Sequence, residues 1–128
     1  VISINKKFEL NSRTLISNPV ADNEWKDAGI EHHVFESTDC EAIDIDIVYQ
    51  CVTLIETILK SHHSKKIYLH CKAGKGRSII VFACYMIKQN PTISIKDIIE
   101  YIGNKRSIIS LNENQMKNIH DFKNKYII

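Results

Sequence analysis

The sequence predicts a single α/β domain, residues 1–128, with a central, mostly parallel sheet flanked by helices. Short β-like runs alternate with helical patterns along the 128 residues. A glycine-bearing loop, residues 71–76, directly follows one predicted strand and precedes an apolar helix. Two prolines and four glycines leave little room for a linker between domains. In sheets of this kind ligands bind at the carboxyl ends of the strands, so the loop is the predicted position of a ligand site.

The strands and the first helix are predicted from short local patterns. β-like runs occupy residues 1–4, 30–35 and 66–70. A short helix over residues 22–27 could be capped by Asp22 or Asn23, and Gly29 suits the left-handed position after it. Trp25 is expected to pack this helix against the sheet.

The remaining helices are predicted from apolar spacing and from end signals. A stripe that includes Ile47, Cys51 and Ile55 predicts a long helix over about residues 43–61. Residues 78–90 are apolar on most faces, which predicts a central helix that also buries Cys84. A capping-box-like segment at residues 94–97 starts a helix that Gly103 is expected to end, and the last helix covers residues 112–126.

The composition excludes several classes of protein. A net charge of +2 is too small to indicate a nucleic-acid partner. The longest apolar run has nine residues, whereas a helix needs about 20 to cross a bilayer. No secretory leader opens the sequence, and four cysteines without paired spacing favour a reducing compartment, so a cytoplasmic location is expected. The four are Cys40, Cys51, Cys71 and Cys84.

Residues 70–78 carry the strongest chemical pattern, a cysteine followed after five residues by Arg77 and Ser78. Between a strand and a helix, such a loop can turn its backbone N–H groups inward and bind a tetrahedral oxyanion. Gly74 and Gly76 permit the backbone angles, and Arg77 can bind two phosphoryl oxygens at once. The positive electrostatic field that would hold the oxyanion should also lower the pKa of Cys71 and leave a nucleophilic thiolate.

This loop resembles the active-site loop of the protein tyrosine phosphatase superfamily, specifically its dual-specificity branch. Segments 1–5, 23–26, 37–39 and 107–115 resemble those of members related to the mitochondrial phosphatidylglycerophosphate phosphatase. The resemblance covers nearly the whole chain, without the first strand and turn that family members usually carry upstream. It implies metal-independent hydrolysis of phosphate monoesters through a phosphocysteine, with no cofactor.

The resemblance also implies a role for several side chains. Cys71 would be the nucleophile, Arg77 would bind phosphate, and Ser78 would donate a hydrogen bond to the thiolate. The general acid would be Asp39, which lies 32 residues before the cysteine. His70 and Gln115 would be supporting residues. Glu36, Glu41 and Asp44 are the alternative acids, and the phosphate-binding segment would be Lys72, Ala73, Gly74, Lys75, Gly76 and Arg77.

Lys72 and Lys75 make the loop resemble that of phosphoinositide 3-phosphatases. Two cations at the mouth favour a phosphoinositide or another phospholipid headgroup, which would bring the domain into peripheral contact with a membrane. A phosphotyrosine, phosphoserine or phosphothreonine protein is the other substrate class. The alternative function is a catalytically silent pseudophosphatase that binds phosphorylated partners. An arsenate reductase or a rhodanese-like enzyme fits less well, because the first needs a second redox cysteine and the second needs no acid at this distance.

Other residues that could suggest chemistry are assigned to structure. The pairs His32–His33 and His62–His63 are expected on the surface, because adjacent side chains diverge, and no metal site is predicted. Cys40 is expected to be a spectator thiol, although its place beside Asp39 would also allow an oxidative disulfide with Cys71. The loop is not a Walker phosphate-binding loop, because Gly76 precedes an arginine and not the required lysine.

Overall fold

The computed structural model describes residues 1–6, 9–10, 19–38, 41–62, 64–72 and 74–127. Three short strands and five helices are assigned within these ranges. The strands are β1 (Ile2–Ser3), β2 (His33–Val34) and β3 (Leu69–His70). The helices are α1 (Asp22–Asp27), α2 (Ile45–Ser61), α3 (Arg77–Gln89), α4 (Ile95–Lys105) and α5 (Glu113–Tyr126).

The sheet is parallel throughout and has the order β2-β1-β3, so the strand that is first in sequence is central. Ile2 is in register with His33 on one side and with Leu69 on the other. Because the strands are parallel, their carboxyl ends meet at one edge of the sheet. The predicted α/β class is confirmed, and the segments that follow β1, β2 and β3 converge at this edge.

Helix α3 is the centre of the molecule. It contacts α2, α4 and α5 and also packs against β3. Its side chains are buried on most faces, as its apolar sequence predicted, and burying each large aliphatic side chain stabilises the fold by about 1.5–3 kcal/mol. The fully buried members on α3 are Ile80, Val81, Ala83, Cys84 and Ile87. The thiols of Cys51 and Cys84 are both buried as expected, and burial raises the pKa of Cys51 to about 12.

Two predicted helix ends are wrong. Ala21, and not Asp22 or Asn23, is the N-cap of α1. The backbone N–H of Ala21 donates to the Glu24 carboxylate. Gly103 does not end α4, which continues to Lys105 and has Arg106 as its C-cap. The buried Ile98 and Ile102 anchor this helix to the core, which offsets the roughly 1 kcal/mol that a glycine costs in a helix. Gly29 has φ = 75°, the left-handed conformation that was predicted.

The surface assignment of the first histidine pair is also wrong. The side chain of His32 is 1% exposed, whereas that of its neighbour His33 is 38% exposed. The ring of Trp25 lies 6.2 Å from that of His32, so this tryptophan packs α1 over a buried imidazole. His62 is exposed as expected, and His63 lies outside the described residues. Among the described residues, no helix is long and apolar enough to span a membrane.

Candidate active site

The glycine-bearing loop connects the end of β3 to the start of α3. Cys71 follows β3 directly, and Gly76 is the N-cap of α3, which begins at Arg77. Gly74 has φ = 66°, a conformation that L side chains rarely adopt. The loop therefore carries the chain from a strand end to a helix N-terminus, where the helix dipole favours an anion.

Contacts on the outside of the loop orient its peptide groups. The side chain of Arg106 donates from Nε to the carbonyl oxygen of Gly74 at 3.0 Å. The backbone N–H of Ser110 donates to the carbonyl oxygen of Lys75 at 2.9 Å. Because these carbonyls point outward, neighbouring N–H groups can line the inner side of the loop. The N–H groups of Gly74 and Ser78 are directed at the thiol of Cys71.

Cys71 lies at the base of this loop with 7% of its surface exposed. Its Sγ is 3.4 Å from Oγ of Ser78, within hydrogen-bond range for sulfur. Burial opposes ionisation of this thiol, but the hydrogen bonds from the Ser78 hydroxyl and from the N–H groups of Ser78 and Gly74, together with the charge of Arg77, outweigh it. The pKa of Cys71 is therefore lowered from its ordinary value, in contrast to the raised pKa of Cys51.

Among the described residues, Glu9 and Ser37 bind Arg77 from distant parts of the chain. Its Nη1 and Nη2 donate to the two carboxylate oxygens of Glu9 at 2.7 and 2.9 Å. Its Nη1 also donates to the carbonyl oxygen of Ser37 at 2.8 Å. The side chains of Arg77 and Glu9 are 0% and 6% exposed. These contacts use three of the five guanidinium N–H donors and fix the plane of the group.

Glu9 is a residue of the candidate site that the sequence did not indicate. The hydrogen bond from Arg77 is the largest cause that lowers the pKa of Glu9, and it outweighs desolvation, so this carboxylate is ionised around neutral pH. The backbone N–H of Lys6 also donates to its Oε1 at 2.9 Å. The only available signal was the position of Glu9 shortly after β1, because the carboxyl ends of parallel strands meet at one edge.

His70 and Gln115 support the loop from opposite ends. Nδ1 of His70 lies 3.2 Å from the carbonyl oxygen of Cys71 and is the donor, because a carbonyl only accepts. Gln115 is 3% exposed, and its backbone N–H is bonded to the Asn112 side chain that caps α5. A Cβ atom added to Gly76 would lie 2.7 Å from Nε2 of Gln115, so this side chain packs directly on the loop.

The residues around the predicted acid are only partly described. Asp39 lies outside the described residues, as do Ala73 and Cys40. Arg77 donates to the carbonyl oxygen of Ser37, the residue two positions before Asp39 in the sequence. Among the alternative acids, Asp44 is the N-cap of α2 and accepts from the N–H of Asp46, whereas Glu36 and Glu41 are exposed.

The mouth of the loop is basic. Lys72 and Lys75 are both exposed. A cavity of about 410 Å³ borders the loop, and Tyr68, Ile79, Phe82, Cys71, Lys72 and Arg106 are among its lining residues. Arg77 is not among its lining residues, so this cavity lies beside the guanidinium and not around it. The described part of the chain contains no cluster of three or more His, Cys, Asp or Glu side chains suited to a metal ion.

Comparisons with known proteins identify the family. Residues 4–125 match the family model described as dual specificity phosphatase, catalytic domain. Phosphatidylglycerophosphatase and protein-tyrosine phosphatase 1 of Mus musculus is 28% identical over 133 residues, covering 95% of this chain and 60% of that protein. Phosphatidylglycerophosphate phosphatase PTPMT1 of Arabidopsis thaliana is 28% identical over 95% of this chain but only 33% of its own length.

Solved structures agree with this assignment. The crystal structure of PTPMT1 in complex with PI(5)P superposes with a TM-score of 0.82 at 25% identity, covering 97% of this chain and 75% of that one. Kinase-associated phosphatase, crystallised with its catalytic-site cysteine replaced by serine, has a TM-score of 0.85 at 25% identity, with 97% and 67% covered. The chain spans between a third and three fifths of the two curated relatives described above. The chain belongs to the dual-specificity phosphatase family, whose catalytic-domain model matches residues 4–125.

Proposed function

We propose that this protein hydrolyses phosphate monoesters through a phosphocysteine formed on Cys71, without a metal ion or cofactor. The observation that carries the proposal is the pairing of a thiol of lowered pKa with a buried arginine in a single loop. Arg77 is oriented by Glu9 and Ser37, so its guanidinium does not need to reorganise when a phosphoryl group arrives. The family match supports the same chemistry.

In the first step, the Cys71 thiolate attacks phosphorus. A bond forms between Sγ and phosphorus while the bond from phosphorus to the ester oxygen breaks. The three remaining phosphoryl oxygens are bound by Arg77 and by loop N–H groups, which stabilise the charge that develops on them. The departing oxygen takes a proton from a general acid, because an alkoxide or phenolate leaves poorly without one. We assign that acid to Asp39.

In the second step, water hydrolyses the phosphocysteine. The water oxygen bonds to phosphorus, its proton passes to the carboxylate left by the first step, and the bond between sulfur and phosphorus breaks. Ser78 stabilises the departing thiolate, since its hydroxyl lies 3.4 Å from Sγ. Free phosphate is released, and the thiolate and the protonated acid are regenerated.

The assignment of the acid has a direct test. Replacing Asp39 by asparagine should lower kcat about 10²- to 10⁴-fold for an alkyl phosphate, the usual contribution of a general acid. The loss should be much smaller for an aryl phosphate whose leaving group needs no proton. Glu36→Gln and Glu41→Gln are the matched controls, since both carboxylates are exposed on neighbouring positions. An Asp39→Asn variant that keeps full activity on alkyl phosphates would rule this residue out.

For the substrate, we propose a phospholipid headgroup over a phosphoprotein. The exposed Lys72 and Lys75 place two positive charges at the mouth of the loop, where a second phosphate or a lipid phosphodiester would lie. The relatives support both classes, because the mouse protein is named for lipid and protein substrates and PTPMT1 was crystallised with PI(5)P. Phosphoserine, phosphothreonine and phosphotyrosine proteins are therefore the competing substrates.

The deciding experiment measures phosphate release from phosphatidylglycerophosphate, phosphoinositides and phosphotyrosine peptides, with a chelator present. Native protein should act on the lipids, and Cys71→Ser should abolish release. Replacing Lys72 and Lys75 together by alanine should reduce kcat/KM on lipids at least tenfold more than on peptides. Equal losses on both classes would remove the argument for lipid selection. Binding of vanadate without release from any substrate would instead identify a pseudophosphatase.

A further inference from the structure

A continuous chain of hydrogen bonds runs from the surface to the back of the nucleophile. Oδ1 of Asp22 lies 2.8 Å from Nδ1 of His32, and Nε2 of His32 lies 2.7 Å from Oγ of Ser3. Oγ of Ser3 lies 2.6 Å from Nε2 of His70, and Nδ1 of His70 lies 3.2 Å from the carbonyl oxygen of Cys71. The middle of this relay is closed to solvent, because Ser3 is 0% exposed and the His32 side chain 1% exposed.

The number of protons in this relay can be counted without choosing a tautomer. Both ends are acceptors, a carboxylate at Asp22 and a backbone carbonyl at Cys71, so four hydrogen bonds require four protons on the three groups between them. A neutral imidazole carries one ring proton and a serine hydroxyl carries one. Neutral His32, Ser3 and neutral His70 therefore supply three. The relay is complete only when one of its two histidines is an imidazolium.

We propose that Asp22, His32 and Ser3 are positioning residues for Cys71, and that they act through His70 as a buried relay holding one extra proton. The proposal rests on Cys71 being the nucleophile of the proposed function. Ser3 donates to His70, and the His70 ring is thereby held with Nδ1–H directed at the Cys71 carbonyl. This contact fixes the peptide group from which the thiolate projects.

The charges around the relay indicate where the extra proton resides. His32 faces the carboxylate of Asp22, which in turn pairs with Lys26 at 2.9 Å on the exposed side of α1. His70 faces no carboxylate among the contacts described; Tyr68 stacks on its ring at 5.1 Å. Burial lowers the pKa of His70, and the charges of His32 and of the Val1 amino group lower it further, against the hydrogen bond to Cys71 that raises it. Within the relay we therefore assign the extra proton to His32, the ring that faces a carboxylate, and the single ring proton of His70 to Nδ1.

The same arrangement allows the charge to move. A proton can pass from Nε2 of His32 to Oγ of Ser3 as the Ser3 proton passes to Nε2 of His70. No proton is gained or lost, and the positive charge moves next to Cys71. At high pH the relay loses its extra proton, and one of the four hydrogen bonds must then break. The reactivity of Cys71 should therefore depend on the ionisation of the relay as well as on that of the thiol.

The variant Asp22→Asn should remove the extra proton of the relay while keeping its hydrogen bonds. The asparagine amide can donate to Nδ1 of His32, so every bond of the relay is satisfied by neutral groups. In native protein labelled with ¹⁵N at the histidine rings, NMR at pH 7 should show both nitrogens of His32 protonated. In Asp22→Asn each relay histidine should carry one proton. The pH profile of iodoacetamide alkylation at Cys71 should show two ionisations in native protein and only that of the thiol in Asp22→Asn.

Ser3→Ala interrupts the relay at its centre and should slow alkylation of Cys71 about three- to tenfold, the effect of one hydrogen bond. Ser3→Thr keeps the hydroxyl and should restore the rate. His33→Gln changes the neighbouring, more exposed imidazole and should have no effect. Native His32 and His70 both found neutral at pH 7, or a Ser3→Ala rate equal to that of native protein, would overturn the proposal. The NMR result decides even if Ser3→Ala does not fold.

These measurements need no turnover, so they separate the relay from the proposed function. If the relay results hold but native protein releases no phosphate from any ester, the phosphatase proposal fails and the relay remains. If phosphate is released through Cys71 but the relay histidines are neutral, the relay proposal fails and the phosphatase proposal remains.

Discussion

Replacing Glu9 by glutamine tests how the buried carboxylate holds Arg77. Both carboxylate oxygens of Glu9 accept from the guanidinium, and both side chains are almost fully buried. Removing one charge of a buried pair typically costs about 3–5 kcal/mol, because the other charge is left uncompensated. At about 4 °C per kcal/mol for a domain of this size, the melting temperature should fall by roughly 12–20 °C at pH 7.

The stability loss should depend on pH in a defined direction. The pKa of Glu9 is lowered from its ordinary value of 4.5, first by the hydrogen bond from Arg77. A lowered pKa means that the stabilisation is fully present above the unfolded-state pKa and is lost as the pH falls through the folded-state pKa. Urea unfolding should therefore show the full difference between native protein and Glu9→Gln from pH 6 to 8, and a shrinking difference below about pH 4.5.

Activity separates the role of Glu9 in the site from its role in stability. A misoriented Arg77 should lower kcat/KM for a soluble aryl phosphate about 10²-fold at temperatures where the variant is folded. Glu56→Gln is the matched control, because Glu56 pairs with Lys88 at 2.6 Å between α2 and α3. That control should lose no more than about 1–2 kcal/mol, because a glutamine still accepts the hydrogen bond from Gln89, and it should keep its kcat/KM. A folded Glu9→Gln variant with kcat/KM close to native would refute the argument that Glu9 positions Arg77.

Two further predictions concern the loop itself. Ser78→Ala removes a hydrogen bond to the thiolate, worth about 1.5–3 kcal/mol, so the pKa of Cys71 should rise by about 1–2 units. The pH profile of iodoacetamide alkylation measures it, and an unshifted profile would show that this hydroxyl does not stabilise the thiolate. Gly74→Ala and Gly29→Ala place a side chain at similar φ angles, 66° and 75°. This strain should cost Gly29→Ala about 1–2 kcal/mol of stability, and Gly74→Ala at least as much. Of these two variants, only Gly74→Ala places its new Cβ against another group, the Arg106 side chain at 2.6 Å. We therefore expect Gly74→Ala, and not Gly29→Ala, to weaken vanadate binding by about tenfold or more. Equal vanadate affinities of the two variants in calorimetry would contradict this.

The loop and the alternating elements were predictable because their signals are local. A strand, five residues between Cys71 and Arg77, and an apolar helix follow one another within residues 66–90. Hydrogen bonding and burial within such a stretch depend mainly on neighbours, so the α/β class and the place of Cys71 after a strand end could be inferred. Asp39 as the acid and the lysines as substrate determinants remain predictions.

The partners that orient the loop could not be predicted in this way. Glu9 and Arg77 are 68 residues apart, Ser37 and Arg77 are 40 apart, and Ser3 and His70 are 67 apart. These pairs meet because β1 lies between β2 and β3, so that segments distant in the sequence become neighbours at one edge of the sheet. A single sequence contains no periodicity that encodes strand order. The pattern of residues 70–78 therefore predicted the chemistry that we propose for this protein. Only the tertiary structure shows which carboxylate, carbonyl and imidazole contact the loop, because those contacts depend on strand register and not on spacing in the chain.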